Sequence, residues 1–483
     1  MAETQAFVGR SPQLKALEGL IAKKTASLVV IRGRRRVGKS RLVEEFARGK
    51  KIFNFIGLAP TEFTTAQDER NEFSAQLSRQ TGLPAIKTED WSDLFLLLAA
   101  QVKTGRVIVF LDEISWMAHG DDNFLGKLKS IWDLNFKKNP KLILILCGSV
   151  SSWIEENILS STGYFGRVSL KITLEELSLP HCSTLLTEVG FQGSAYEKFL
   201  MLCIMGGIPW YLEQIRPDLN AIENIRALCF EKDGLLVDEF KYIFHDLFNK
   251  RGDIYQRIVE ILENGKTEYS DIVKKLNYHS GGSLSDYLEE LIVSGFIARD
   301  YTWQLKSGKR AKLSHYRLRD NYLRFYLKYI KPKLDLIHTN MYSDISLPSL
   351  SGWDATMGLQ FENLVLNNRT LIHKILGLNA NDIVYANPFF QNKTVKQRGC
   401  QIDYLIQTRY QTLYVVEIKF SREMLGLSII QEVQEKISRI SAPKNMTCLP
   451  VLIHLGGVSE TVLDHRYFVK IIDFAELLQN GGP

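Results

Sequence analysis

The sequence predicts a multidomain α/β protein. Three observations carry that expectation: a glycine-rich loop between an apolar strand and an amphipathic helix, a helix-rich middle closed by a hairpin, and acid-bearing paired strands in the last third. The 483 residues suffice for several domains, at roughly 100–200 residues each. Hydrophobic residues make up 45% and charged residues 24%, as in globular proteins with real cores. The formal net charge of +6 is mildly basic, which permits an acidic partner without demanding one. The start "MAETQAFVGR" has no basic region followed by an apolar one, so no secretory leader is expected. The longest apolar run, Leu142–Cys147, is too short to cross a bilayer. Scattered cysteines at 147, 182, 203, 229, 400 and 448 form no Cys-x-x-Cys pair and read as reduced core thiols. A cytoplasmic protein with no membrane partner is the expectation.

The loop lies in "SLVVIRGRRRVGKSRLVEEFARG" and reads Gly33-x-x-x-x-Gly38-Lys39-Ser40. An apolar run (Leu28–Ile31) precedes it, and an amphipathic run (Arg41–Ala47) follows and stops at Gly49. In that setting the backbone N–H groups of Gly33, Arg34, Arg35, Arg36, Val37, Gly38, Lys39, Ser40 and Arg41 can wrap phosphate oxygens at a helix N-terminus. Lys39 is then expected to reach the β and γ phosphates of ATP, and the Ser40 hydroxyl to ligate Mg2+. A second strand, Val107–Leu111, is apolar throughout, as burial on both faces requires, and ends in Asp112-Glu113. Asp112 is assigned to the Mg2+ side and Glu113 to orienting and polarising the attacking water, so hydrolysis is expected and not binding alone. A third strand, "KLILILCGSVSSWI", places Ser149 just past its end, at γ-phosphate height if it lies beside the other two. Trp116 and His119 are read as loop residues.

Together "FVGR" (Phe7–Arg10), the phosphate loop, "FLDEISWM", "LCGSVSSWI", "GYFGRV" and "GGIPWYL" resemble prokaryotic P-loop ATPases of the AAA+-like, STAND-related group. The resemblance implies that Ser149 is a polar sensor and that Arg167 contacts nucleotide or a neighbouring subunit's site, which would make the protein a homo-oligomer. It also implies that "GGIPWYL" (Gly206–Leu212) belongs to a helical lid. From the residues alone, Arg167 is a basic residue in a turn and serves equally as a surface arginine.

From Asp253 the pattern becomes three short helices, the third with Ser283 as its capping serine, and then two strand-like runs around the basic turn Lys306–Arg310. This is the order of a winged helix-turn-helix. DNA is the expected partner, met by Lys306, Lys309, Arg310 and Lys312 at phosphate. The third helix carries Asp286, Glu289 and Glu290, which disfavours base reading. A winged helix used as a protein-interaction module fits the same residues.

In the last third, "DATMGLQFENLVLNN" is helix-like with Met357, Phe361, Leu364 and Val365 on one stripe and Glu362 at its border. "CQIDYLI" sets Asp403 opposite Ile402, Tyr404 and Ile406, and "LYVVEIKF" sets Glu417 and Lys419 opposite Val416, Ile418 and Phe420. Glu362, Asp403 and Glu417 are expected to converge on Mg2+, with Lys419 stabilising charge that develops in the transition state. These positions resemble the helix acid, strand acid and Glu-x-Lys pair of the PD-(D/E)XK nuclease superfamily. The resemblance implies a restriction-endonuclease-like α/β domain acting as a DNA endonuclease. The same residues also suit a solvated strand face in an ATP-driven switch that cuts nothing. The expected division is 1–172 for the ATPase core, 173–248 for the lid, 249–335 for the winged helix and 345–483 for the nuclease-like domain.

Overall fold

The computed structural model describes residues 7–248, 252–278, 282–395 and 397–479. Residues 1–6, the expected start of the middle domain at 249–251, Ser280 and Gly281 of its glycine turn, and 480–483 lie outside the described residues. The chain divides into two compact units, Met1–Glu176 and Leu177–Pro483.

The first unit is a parallel five-stranded sheet of β1 (Ser27–Arg32), β2 (Ile52–Ile56), β3 (Val107–Asp112), β4 (Leu142–Gly148) and β5 (Val168–Thr173), in the order β2-β3-β4-β1-β5. Burial follows position in that order. The inner strands β1, β3 and β4 are apolar and buried on both faces, whereas the edge strand β2 alternates half-buried and buried positions and the edge strand β5 is exposed at every second residue. The β2 edge does not face solvent bare. Gln76 and Gln80, one turn apart on the helix Ala66–Thr81, each donate to and accept from its backbone, at Ile56 (2.8 and 2.9 Å) and Asn54 (2.7 and 2.8 Å). Two side-chain amides thus satisfy groups that would otherwise pair with a foreign strand.

Glu69 on the same helix is 2% exposed; its Oε2 accepts from Leu58 N at 3.2 Å, and Oε1 has no hydrogen-bond partner among the described residues. Burial pushes its carboxyl up to about 7. Because the folded state holds the proton more tightly than the unfolded chain, this group's contribution is complete below its ordinary value of 4.5 and is lost as pH rises toward 7. Glu69→Gln should therefore be more stable than wild type at pH 8, by about 2–3 kcal/mol at most, and flatter between those two pH values. Urea unfolding across that range checks this, and identical pH profiles would refute it.

The second unit opens with the helices Leu179–Glu188, Ala195–Met205, Pro209–Leu212, Ala221–Cys229 and Glu239–Phe248. Within the Gly206–Leu212 break, Tyr211 is buried and its hydroxyl donates to Glu239 Oε1 at 2.9 Å, a packing role. Next come the helix Gly252–Ile261, β6 (Thr267–Glu268), the helices Tyr269–Leu276 and Gly282–Val293, and the hairpin β7 (Ile297–Trp303) and β8 (Arg310–Leu318), in an antiparallel sheet ordered β6-β8-β7. Ser283 lies inside the first turn of Gly282–Val293 and bonds the Tyr278 hydroxyl at 2.6 Å, so it is not the cap.

The last part has the helix Trp353–Asn367, β9 (Ile383–Gln391), β10 (Cys400–Thr408), β11 (Thr412–Phe420), the helix Ser428–Arg439, β12 (Thr447–Leu455) and β13 (Lys470–Asp473). The strands lie in the order β13-β12-β11-β10-β9, antiparallel from β9 to β11 and parallel from β11 to β13.

The β7–β8 hairpin packs against this sheet. Trp303 is buried in the cluster formed by Phe389, Ile402, Leu405 and Val415, and its Nε1 donates to Gln407 Oε1 at 2.6 Å. A buried polar network adds to the joint. Arg317 donates to Asp300 Oδ2 at 2.7 Å and to Asn363 Oδ1 at 2.6 Å; Arg324 donates to Gln360 Oε1 at 2.6 Å and to the Leu318 and Glu263 carbonyls. The four basic residues of the hairpin, Lys306, Lys309, Arg310 and Lys312, stay exposed. All six cysteines are free and none is fully exposed. Among the described residues, no helix is long and apolar enough to cross a membrane.

Candidate functional site

The loop between β1 and the helix Lys39–Ala47 is shaped by two glycines. Gly33 has φ 152°, and a Cβ there would lie 2.3 Å from the Leu174 carbonyl oxygen; Gly38, the residue before the helix, has φ 90°. No side chain caps that helix, so its first N–H groups and its positive dipole end remain for an anion. The Lys39 ammonium, buried, donates to the Arg34 carbonyl at 3.0 Å and so points into the ring of its own loop. Arg34 is buried and pairs with Glu176 at 3.4 Å, Arg36 takes the left-handed conformation (φ 69°), Val37 is buried, and Arg41 is exposed on the first turn. Arg10 is a support that sequence reading missed. It follows Gly9 in a left-handed turn, and its guanidinium donates to the carbonyls of Val37 (3.1 Å) and Glu175 (2.5 Å), bracing the loop from behind. Only the "FVGR" motif hinted at it.

Across the sheet, β4 lies between β1 and β3, which brings the three strand ends together. The Ser40 hydroxyl donates to Asp112 Oδ2 at 2.6 Å. Asp112 Oδ1 accepts from Glu113 N at 3.0 Å and helps hold Glu113 at φ 50°, a left-handed conformation that a non-glycine residue adopts at a cost of roughly 1–2 kcal/mol. Glu113 Oε2 in turn accepts from both the backbone N–H (3.0 Å) and the hydroxyl (2.8 Å) of Ser149, which is buried. Ser149 thus meets the acid at the end of β3, a contact that the strand order decides. Trp116 falls in a short helix, Ile114–Met117, and not in a loop.

Arg167 is engaged elsewhere. Its Nε and Nη2 donate to the carboxylate of Asp133 at 3.1 and 2.8 Å, a two-pronged pair on the helix Phe124–Leu134. Hydrogen bonding by Arg167 holds the Asp133 carboxyl below the usual range. Arg167 is thus held by Asp133 within its own chain.

In the second unit the acids of the tail are not a solvated face. Asp403 is 8% exposed and Glu417 3%, because the sheet is covered on both sides and β10 is buried at nearly every position. The β9–β10 register shifts between Ile402 and Leu405, so an irregularity brackets Asp403. Asp403 Oδ2 accepts from Ile418 N at 3.0 Å. Burial first, and then the charge of Glu417, pushes the Asp403 carboxyl above its ordinary value. Glu362 also has a raised pKa, from burial opposed by Lys266.

Two corrections follow. The ion-pair partner of Lys419 is Glu432 and not Glu417; its ammonium lies 2.8 Å from the Glu432 carboxylate on the helix Ser428–Arg439. The cation at Glu417 is Lys436, one helical turn beyond Glu432, with Nζ 2.7 and 2.5 Å from the two carboxylate oxygens. Lys266 likewise donates to Glu362 Oε2 at 3.0 Å. Among the described residues no three His, Cys, Asp or Glu side chains are grouped so as to hold a metal ion. A divalent ion at these acids would have to displace Lys436 from Glu417 and Lys266 from Glu362, while Asp403 is met by the Ile418 N–H. Lys436 could have been noticed from its place three residues past Val433 on an amphipathic helix; nothing in the sequence signals Lys266.

Residues 7–215 match the family described as an ATPase domain predominantly from Archaea. The chain belongs to that family. Among its relatives is an uncharacterized ATP-binding protein of Methanocaldococcus jannaschii (MJ0423), 44% identical over 46 residues that span 10% of this chain and 78% of the relative. A longer match is the uncharacterized protein MJECL04 of the same organism, 25% identical over 70% of this chain and 71% of the relative. Solved structures with similarity include a Walker-type ATPase of Pyrococcus abyssi (17% identity, TM-score 0.49, 66% of this chain and 96% of that one) and the ORC2 protein of Aeropyrum pernix (14%, 0.41, 71% and 97%). As a member of this archaeal-type ATPase family the chain is an ATP-binding P-loop ATPase, and the matched stretch contains the loop, Asp112, Glu113, Ser149 and Arg167.

Proposed function

We propose that this ATPase is a Mg2+- and ATP-driven switch that associates with DNA and carries a nuclease-like tail held in an ion-paired form that does not cut. The observation that carries the ATP half is the meeting of Ser40, Asp112, Glu113 and Ser149 at one sheet edge. Ser40 and Asp112, 2.6 Å apart, are the residues that would hold Mg2+, which when bound neutralises charge on the transferring phosphoryl group. Lys39 turns from the Arg34 carbonyl to the β and γ phosphates, an exchange of one acceptor for a charged one. With Oε2 of Glu113 held by Ser149, Oε1 is left to accept a proton from the attacking water.

The DNA half is supported by the exposed Lys306, Lys309, Arg310 and Lys312, and by the acidic helix beside them, which suits phosphate contact better than base reading. Replacing all four with Ala should weaken duplex binding and reduce the slope of log affinity against log salt by about 3–4, near 0.9 per lost phosphate contact. Fluorescence anisotropy between low and moderate salt measures this; an unchanged slope removes the hairpin from the DNA contact.

A second reading, a Mg2+-dependent DNA endonuclease, is favoured by the nearness of Asp403 to Glu417, whose charge adds to burial in raising the Asp403 carboxyl. Supercoiled and branched DNA incubated with and without ATP and Mg2+ or Mn2+ separates the two. Nicking that Asp403→Asn abolishes makes the tail a nuclease; intact DNA under every condition leaves the switch.

A further inference from the structure

The tail carboxylates pose a charge problem that the structure solves in an unexpected way. Glu417 and Asp403 are buried and Glu362 is part-buried; Asp403 lies close enough to each of the other two for like charges to repel, so the buried carboxylates require nearby positive charge or bound protons. Two ammonium groups supply it. Lys436 holds both oxygens of Glu417, and Lys266 holds Glu362. Both lysines also act on Asp403, whose remaining direct partner is the Ile418 N–H. The two lysines come from different places: Lys436 from the helix that packs on the sheet, and Lys266 from the turn after the helix Gly252–Ile261, 96 positions before its partner. The turn is set by Gly265 at φ 133°.

We propose that Lys266 and Lys436 are the resident cations of this cluster and keep it closed to divalent ions, so that the tail is gated by lysine and not charged by metal in its resting form. This rests on the reading that Glu362, Asp403 and Glu417 form one cluster. The chemistry follows from charge. A divalent ion would have to compete with the two ammonium groups for the oxygens of Glu417 and Glu362, and it would stand close to two fixed positive charges that repel it. Lys266 makes the gate responsive to the rest of the chain. Its partner sits on the helix Trp353–Asn367, so the gate joins the Gly265–Lys266 turn to an element outside the sheet.

The test is titration of the full-length protein with Mn2+, without nucleotide, followed by calorimetry and by the Mn2+ paramagnetic signal. Wild type should show no Mn2+ uptake that depends on Asp403, so that wild type and Asp403→Asn titrate alike. The Lys266→Met/Lys436→Met variant should bind Mn2+ at least tenfold more tightly, and adding Asp403→Asn to it should abolish the gain, which assigns the gain to this cluster and not to Ser40 and Asp112. Lys266→Gln/Lys436→Gln, which keeps hydrogen-bond donors without the charge, should gain as well, and it stands in if the methionine pair does not fold. Unchanged ATP turnover in each variant shows that the first unit is intact, so failure here is distinct from failure of the ATPase reading. The proposal is overturned if wild type takes up one Mn2+ that Asp403→Asn removes, or if folded lysine variants bind no more Mn2+ than wild type.

Discussion

Lys39→Ala should abolish ATP binding and, with it, all turnover, whereas Glu113→Gln should bind ATP as tightly as wild type and hydrolyse it at least a hundredfold more slowly. The two substitutions separate because the residues act at different stages. The Lys39 ammonium is buried inside its own loop against the Arg34 carbonyl, placed to be the charge that triphosphate meets. Removing it takes away a charge-assisted contact in a desolvated pocket as well as the buried stem of the side chain. Glu113 lies at the end of β3, turned onto Ser149 in a strained backbone conformation. Its amide analogue keeps the size and can still bond Ser149, but it accepts no proton from water, and general-base losses run from about 10² to 10⁴. Nucleotide binding by calorimetry and single-turnover hydrolysis read the two effects independently. Equal turnover in wild type and Glu113→Gln would remove Glu113 from its role; undiminished binding in Lys39→Ala would remove the loop from its own.

The second large effect is on stability. Arg317→Met should destabilise the second unit by about 3–5 kcal/mol, the usual cost of removing one partner from a buried ion pair. The Arg317 and Asp300 side chains are 5% and 3% exposed and lie 2.7 Å apart, and Arg317 also donates to Asn363 on the helix Trp353–Asn367. Without Arg317, Asp300 keeps only the more distant Arg369 at 3.5 Å, and Asn363 loses its charged donor. Burial pushes the neighbouring Arg324 guanidinium down to about 10, so it remains charged at neutral pH and does not relieve the lost pair. A further Asp300→Leu change in the same protein should recover part of the loss, since it deletes the stranded carboxylate. Urea unfolding followed by tryptophan fluorescence, which includes the buried Trp303 of this unit, reports the change. A loss below about 1 kcal/mol would mean that the pair is a surface-like contact.

Much of the first unit could be read from the chain because its signals are local. Leu28–Ile31 and Val107–Leu111 are unbroken apolar runs of strand length, and the structure makes them inner strands buried on both faces. The Gly33–Ser40 loop is contiguous, so its shape is written in the spacing of two glycines. The helix stripe Met357, Phe361, Leu364 and Val365 is likewise buried throughout, as a period of 3.6 requires. What failed was what alternation cannot express. Period two on β10 and β11 says that Asp403 and Glu417 oppose the neighbouring apolar residues, but not that a second layer covers that side too, so the alternation leaves a solvated strand face open where the structure buries both carboxylates.

The sequence by itself determined the phosphate loop, the strands that flank it and the acid pair at the end of β3, because each is specified by residues within about ten positions of one another. Only the tertiary structure decided which charge meets which. Ser149 reaches Glu113 because β4 inserts between β1 and β3, Arg167 turns to Asp133, Lys419 pairs with Glu432, and Glu417 is held by Lys436 because a helix packed on the sheet sets its own lysine over the buried carboxylate. Lys266 finds Glu362 across 96 residues. A long, flexible ammonium side chain has no periodic signature, and its partner is chosen by which uncompensated carboxylate the folded chain brings within reach.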